Sequence, residues 1–368
     1  MNRRDLLGLL SLLAFAAAPA LAAPRKAAKK KPEPAAPAYS TRPEVAAFIA
    51  EMVETQGFDA TPLARVLDAA RYSAQVEKLM QPPMAYGIRN WFNYRSRFLD
   101  DKRIAAGLAF WVQYGAALAR AQATYGVPAE VIAAIIGVET YYGRITGNFR
   151  VLDALMTLSF DYTRRAEYFR KELANFLVMS REQRLDPLSV RGSFAGAIGW
   201  PQFMPGSVRA WGVDFDGDGR IDLNNSPTDA IGSIANFLVG HGWVPGLPIL
   251  IDAAAPLELP EQLGRGIEAK FPWNELQALG VASTAAAEIP GDTPLLLVDL
   301  PVPAVDGGQT ALHRLGTKNF AAILGYNRSY FYAAAVTELA AALAAARKRV
   351  NSRQPKRAPI QSPTRAPG

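Results

Sequence analysis

The spacing of apolar residues changes along the chain. From Arg42 to Arg181 they recur every three or four residues, the rhythm of helices with one buried face. This predicts helices over 42–54, 61–72, 104–125, 151–157 and 164–181, with Thr61 as an N-cap and Pro62 in the first helical position. Trp91, Phe92, Tyr94 and Phe98 crowd together among Arg89, Arg95 and Arg97. From Leu247 the texture shifts to short apolar runs at 247–252, 266–271 and 294–300, separated by Pro and Gly, which read as strands. Helical spacing returns at 319–324 and 330–347. The pattern predicts a mainly α fold carrying a small β-containing insert.

One helix stands apart. Pro128 suits a first helical turn, and Glu130 follows at the positive end of the helix dipole. From Val131 to Val138 the residues are apolar on every face, so the helix should be buried all round. Its end then delivers Glu139. Ile135 and Ile136 lie one turn before, Tyr142 and Gly143 one turn after, and no Lys or Arg is within local helical reach. A carboxyl group so placed loses solvation and its pKa rises, which suits a general acid near neutral pH. The alternative is a structural pairing with Arg144, Arg164 or Arg165.

Composition narrows the chemistry. The chain of 368 residues, half of them hydrophobic, is long enough for a large core, and it has no Cys. Disulfides, Cys-based metal sites, Cys nucleophiles and lipidation at an N-terminal Cys are therefore excluded. His241 and His313 lack ligand spacing, so a catalytic zinc site is not expected, and neither a phosphate-cradling glycine loop nor a nucleophile elbow is present. The net charge of +7 divides unevenly: residues 1–38 carry +5, residues 347–368 carry +7, and residues 39–346 carry −5. A nucleic-acid-binding fold would hold its basic residues on the fold itself, so that class is disfavoured. Basic tails suit attraction to an anionic surface, such as lipid headgroups or a cell-wall polymer.

Arg3 and Arg4, the apolar run 6–18 and Ala20-Leu21-Ala22 read as a secretory signal too short to span a membrane comfortably. The expected organisation is a signal peptide at 1–22 and a disordered basic linker at 23–40. A helical arm and core follow at 41–246, a small β-rich subdomain at 247–312, returning helices at 313–347 and a disordered basic tail at 348–368.

Two loops carry further chemistry. Residues 192–206 pack four glycines, two prolines and three large aromatics into fifteen positions, which permits close backbone approach to a ligand. There Gln202 both donates and accepts hydrogen bonds, and Trp200, Phe203 and nearby Trp211 offer faces on which sugars stack, or else pack as core. Residues 214–222 match the first nine positions of an EF-hand loop: Asp214, Asp216 and Asp218, Gly219, the carbonyl of Arg220, and Asp222. Position twelve is Asn225 rather than Glu, so Asp222, Asn225 or Asp229 is left to close a structural Ca²⁺ site. No organic cofactor is implied.

Taken together, these blocks resemble the lytic murein transglycosylases of the B type. The resemblance runs from about Thr41 to Arg347, through 135–140, 152–160, 164–169, 192–199, 202–205, the Asp loop, 229–233 and Tyr326-Asn327. It implies a lysozyme-like helical core with a helical arm, a calcium loop and a small β subdomain. It implies cleavage of peptidoglycan between N-acetylmuramic acid and N-acetylglucosamine without water. Glu139 matches the single catalytic acid/base, and Ser193, Gln202, Tyr326, Asn327 and Tyr332 match positions lining the sugar cleft. Phe237 stands where relatives carry Tyr, keeping the stacking face without the hydroxyl. One extra residue precedes Asp229 in the loop. The absent N-terminal Cys favours a soluble periplasmic form, a monomer whose partners are glycan strands and proteins of cell-wall synthesis or division.

With one carboxyl group the expected chemistry differs from that of paired-carboxylate glycosidases. Glu139 would protonate the leaving oxygen, then take the proton of the muramic C6 hydroxyl as that hydroxyl closes a 1,6-anhydro ring. Two other readings remain at this point: a hydrolytic muramidase, and a non-catalytic calcium-stabilised cell-wall protein.

Overall fold

A computed structural model of the chain describes residues 38–353, apart from 83–88, 257–259, 261–262, 264–265, 286–288 and 305–307. The expected signal peptide, nearly all of the linker and most of the tail lie outside the described residues. Helices α1 (Pro43–Gln56), α2 (Ala60–Asp68), α3 (Ala74–Met80) and α4 (Trp91–Arg95) come first. Then follow α5 (Asp101–Tyr125), α6 (Ala129–Thr140), α7 (Val151–Phe160), α8 (Ala166–Glu182), α9 (Pro205–Trp211) and α10 (Pro227–Gly240). A two-residue ladder, β1 (Phe149–Arg150) on β2 (Arg191–Gly192), brackets α7 and α8. The C-terminal third holds β3 (Leu250–Ala253), β4 (Phe271–Pro272), α11 (Trp273–Ala278), β5 (Pro294–Pro303), β6 (Gln309–Gly316), α12 (Lys318–Tyr326) and α13 (Tyr330–Arg353).

The core forms around α6. Every residue from Val131 to Val138 is buried, as an all-apolar helix requires, and α5 and α13 pack against it. Its sides are then held by α10, while α7 and α8 pair beside β1 and β2. Arg103 of α5 is 1% exposed and reaches across to donate to the Gly137 carbonyl near the end of α6.

The four antiparallel strands run in the order β3-β6-β5-β4. β5 is an apolar run buried on both faces, and its period of two divides it between cores. Leu296, Val298, Leu300 and Val302 enter the main helical core, whereas Leu295 and Leu297 enter a second core with Ile251, Trp273, Leu276 and Leu315. Pro301 and Pro303 are tolerated because β4 reaches only Leu295, which leaves that end of β5 with β6 on one side alone.

Several boundaries differ from expectation. α2 starts at Ala60 after an Asp59 N-cap, so Thr61 lies inside the helix. Pro128 is the N-cap of α6, and the helix begins at Ala129. β6 crosses the expected subdomain limit at 312 and ends at Gly316. Its polar His313 and Arg314 interrupt the apolar alternation that would have marked it, and Arg314 pairs with Asp252 on β3 at 2.7 Å. α13 runs to Arg353, through the first six residues of the expected disordered tail.

Because Leu296 is fully buried in the helical core, Leu296→Ala should cost about 2–5 kcal/mol. Urea unfolding monitored by circular dichroism reads the loss, and a cost below about 1 kcal/mol would mean that β5 is not a core strand.

Candidate active site

α6 ends abruptly beyond Glu139. Tyr141 and Tyr142 both adopt left-handed backbone, at φ 51° and 57°, which turns the chain out of the helix. The Thr140 hydroxyl lies 3.2 Å from both the Ile136 and Trp200 carbonyl oxygens and accepts the Gly143 N–H at 3.0 Å. The helix end is thereby tied to the glycine-rich loop. Gly143 is required at φ 77°, since a Cβ there would meet the Trp200 indole at 2.4 Å. Trp200 is fixed in turn from the Asp-rich loop, its backbone N–H donating to Leu223 and its indole N–H to Asn224.

Glu139 opens onto a pocket of about 180 Å³ lined also by Tyr168, Ala197, Gln202, Phe203, Met204, Ser207, Phe237, Gly325, Tyr326 and Asn327. Among the described residues it is the one carboxyl group on that wall. No Lys or Arg among them forms an ion pair with it. Arg144 instead lies over the Tyr141 ring at 4.8 Å, and Arg165 over Tyr168 at 4.2 Å. The Tyr332 hydroxyl donates to Glu139 Oε1 at 2.6 Å. Some surface of Glu139 stays open to the cleft while protein encloses the rest. That burial pushes its pKa from 4.5 to about 7, against the opposing pull of the Tyr332 hydrogen bond. Burial also raises Tyr332 and Tyr326 well above the ordinary tyrosine value, reinforced by the nearby Glu139 charge. Tyr332 therefore remains a proton-bearing donor.

The expected cleft residues take different places. Gln202, Phe237, Tyr326 and Asn327 line the pocket. Gln202 sits at φ 50° and donates through Nε2 to the Thr146 and Gly199 carbonyls. The Tyr326 hydroxyl donates to the Pro201 carbonyl at 2.6 Å, fastening α12 to the glycine loop. Phe237 stacks on His241, ring centroids 3.9 Å apart, and its own ring meets Phe203 and Tyr326. Tyr332 is fully buried and acts on Glu139 from behind. Ser193 closes the loop turn by accepting the Ala195 and Ala197 N–H groups, and is not on the pocket wall. Of the three stacking aromatics considered, only Phe203 lines the pocket; Trp200 packs against Phe110 and Tyr114, and Trp211 packs behind Phe237. Tyr168, Met204 and Ser207 were not singled out from sequence. Tyr168 lies within the ordered block 164–169 as an ordinary helix aromatic, and the packing of α8 against α9 brings it to the pocket.

In the Asp loop, one oxygen each of Asp214, Asp216 and Asp218 lies within 4.8 Å of the others. Ca²⁺–oxygen bonds of about 2.3–2.6 Å put a common centre within reach of all three, so this all-carboxylate donor set fits a hard divalent cation. Asp229 is outside the cluster. It is 1% exposed, and its two oxygens accept the N–H groups of Phe215, Asp216 and Asp222, folding the loop from beneath. Asp222 accepts from the backbone and side chain of Asn225, so these two also bond to one another.

A family model described as a transglycosylase SLT domain matches residues 40–341. The chain is 41% identical over 320 residues to membrane-bound lytic murein transglycosylase B of Escherichia coli (strain K12), covering 84% of this chain and 85% of that protein. The crystal structure of soluble lytic transglycosylase SltB1 from Pseudomonas aeruginosa superposes with a TM-score of 0.75 at 43% identity, over 83% of this chain and all of the other. The Escherichia coli lytic transglycosylase Slt35 in complex with calcium gives a TM-score of 0.73 at 42% identity, over 84% of this chain and 95% of that one.

A carboxyl with a raised folded-state pKa keeps stability that is complete below the unfolded value and is lost as pH rises through about 7. Glu139→Gln keeps an acceptor for Tyr332 and removes that loss, so it should stabilise the fold by about 1–3 kcal/mol at pH 8 and by little at pH 4. Thermal unfolding of both proteins across this range checks the sign.

Proposed function

This chain belongs to the transglycosylase SLT family, and on that premise we propose how its pocket cuts a glycan strand. As a lytic transglycosylase it is an enzyme that cleaves the glycan strands of peptidoglycan by transglycosylation. The bond is the β-1,4 link from N-acetylmuramic acid to N-acetylglucosamine. Glu139, protonated near neutral pH, gives its proton to the glycosidic oxygen as the bond breaks. Its carboxylate then takes the proton of the muramic C6 hydroxyl, whose oxygen attacks C1 and closes the 1,6-anhydro ring. That nucleophile belongs to the substrate and has a high effective concentration, so no water need be activated. The observation that carries this reading is the carboxyl group that stands alone on the pocket wall among the described residues, desolvated and held by Tyr332. A hydrolytic muramidase of the usual kind would need a second carboxyl group facing the same bond.

Gln202, Tyr326 and Asn327 supply polar contacts to the sugars, Phe237 and Phe203 supply apolar faces, and Tyr332 orients the acid. Ser193 shapes the loop that carries Gln202. Asp214, Asp216 and Asp218, with the Arg220 carbonyl, hold a structural Ca²⁺ ion, and Asp229 organises the loop around it. A calcium complex of Slt35 supports this assignment. The ion bears no part in the proton transfers; it stiffens the segment that carries Leu223 and Asn224, on which Trp200 rests. The enzyme works in the periplasm, where its substrate lies. Among the described residues no single helix is long and apolar enough to cross a membrane.

Purified sacculi digested by the enzyme should release products with 1,6-anhydro muramic ends. Reducing ends one water heavier, found alone, would establish hydrolysis instead. Glu139→Gln should lower turnover by at least about 10²-fold with the fold retained, and wild-type kcat/KM should fall as pH rises past about 7. Removing Ca²⁺ with a chelator should lower Tm, and saturation at 100 times Kd should restore about 2.7 kcal/mol; Asp216→Asn should blunt that response.

A further inference from the structure

Glu172 is a carboxyl group near the cleft that the chemistry above leaves unused. It lies on α8 one turn after Tyr168, so the two side chains leave the helix on one side. Tyr168 lines the pocket, whereas Glu172 is not among the lining residues. Glu172 Oε2 accepts the Gly206 N–H at 2.8 Å. Gly206 is the second residue of α9, whose first N–H groups have no acceptor within the helix, and no N-cap side chain serves it. Glu172 supplies that missing cap from a neighbouring helix.

The fit leaves no slack. A Cβ at Gly206 would lie 3.2 Å from each Glu172 oxygen and 3.0 Å from Asn175 Nδ2. Met204 and Ser207 flank this contact, and both line the pocket. Arg209 of α9 binds Glu182 and Asn175, and Arg165, which lies over the Tyr168 ring, reaches Glu172 only through its charge. Burial raises the Glu172 pKa, while the Gly206 N–H and Arg165 pull it back.

We propose that Glu172 is a positioning residue for substrate binding, capping the Gly206 N–H and so fixing the Met204–Ser207 part of the pocket wall. This rests on the reading of the pocket as a glycan site. One Glu172 oxygen is committed to the backbone and the carboxyl group is off the pocket wall, so it does not take the second-carboxylate role of a hydrolase. Its loss acts on KM and leaves proton transfer at Glu139 untouched.

The test compares wild type, Glu172→Ala, Glu172→Gln and Gly206→Ala on soluble uncrosslinked glycan strands. Steady-state rates are taken from pH 5 to 9, and strand binding is measured by calorimetry in a Glu139→Gln background. Glu172→Ala should raise KM and Kd about tenfold, with kcat within about twofold and its pH dependence unmoved. Gly206→Ala, which crowds the same contact from the other side, should raise KM as well. Glu172→Gln, which still offers an acceptor, should recover most of the loss. A lower Tm with unchanged KM and Kd would reduce Glu172 to a structural role, and a collapse of kcat in Glu172→Gln would make it catalytic; either overturns the proposal. A wild-type chain that neither binds nor cleaves the strands would refute the glycan reading, and this proposal with it, whereas normal wild-type behaviour ties any change in KM to Glu172 alone.

Discussion

Everything in the site depends on keeping one carboxyl group short of water. Glu139 holds its proton near neutrality because α6 is surrounded by protein, and it does so against the pull of the Tyr332 hydroxyl that donates to it. The energetic conflict is local. A charged carboxylate would gain from solvent that the fold withholds, and the Tyr332 hydrogen bond offsets only part of that loss. The rest of the structure serves to maintain this shortage at a place that a substrate can still reach.

Support for the carboxyl group runs outward through a short mechanical series. Thr140 ties the end of α6 to the Trp200 carbonyl, and Trp200 is bonded to Leu223 and Asn224. Tyr326 ties α12 to Pro201 in the same loop. The glycines of that loop place backbone against backbone where side chains would keep the elements apart. An Asp-rich loop remote in composition from carbohydrate chemistry is thus two hydrogen-bonded steps from the acid.

What the sequence disclosed follows from how local each signal was. The all-apolar α6 and its terminal Glu139 were legible because burial on every face leaves an unmistakable run. The Asp triad was legible because its three carboxylates come from alternate positions of one loop. β6 was not, since the consecutive polar residues His313 and Arg314, paired with β3 on one edge and β5 on the other, disguise the alternation. Tyr168 and Glu172 sit in an ordinary amphipathic helix, and what distinguishes them is α9 laid across α8. Trp200 and Trp211 had the right chemistry for sugars and were claimed by packing. Aromatic identity alone does not say which side of a cleft wall a ring occupies. Asp229, the expected closing ligand, lies outside the carboxylate cluster and accepts three backbone N–H groups, as Asp214 within the cluster also does.

The double allegiance of β5 bears on how this chain can be cut. A strand whose alternate residues belong to two cores is a party wall, and the small sheet on its far side is no detachable module. Excising residues 247–316 would strip Leu296, Val298, Leu300 and Val302 from the helical body along with the sheet. The apolar surface so exposed would include part of the seat of α13, the helix that presents Tyr332. Trimming toward a minimal enzyme has to start from the chain ends.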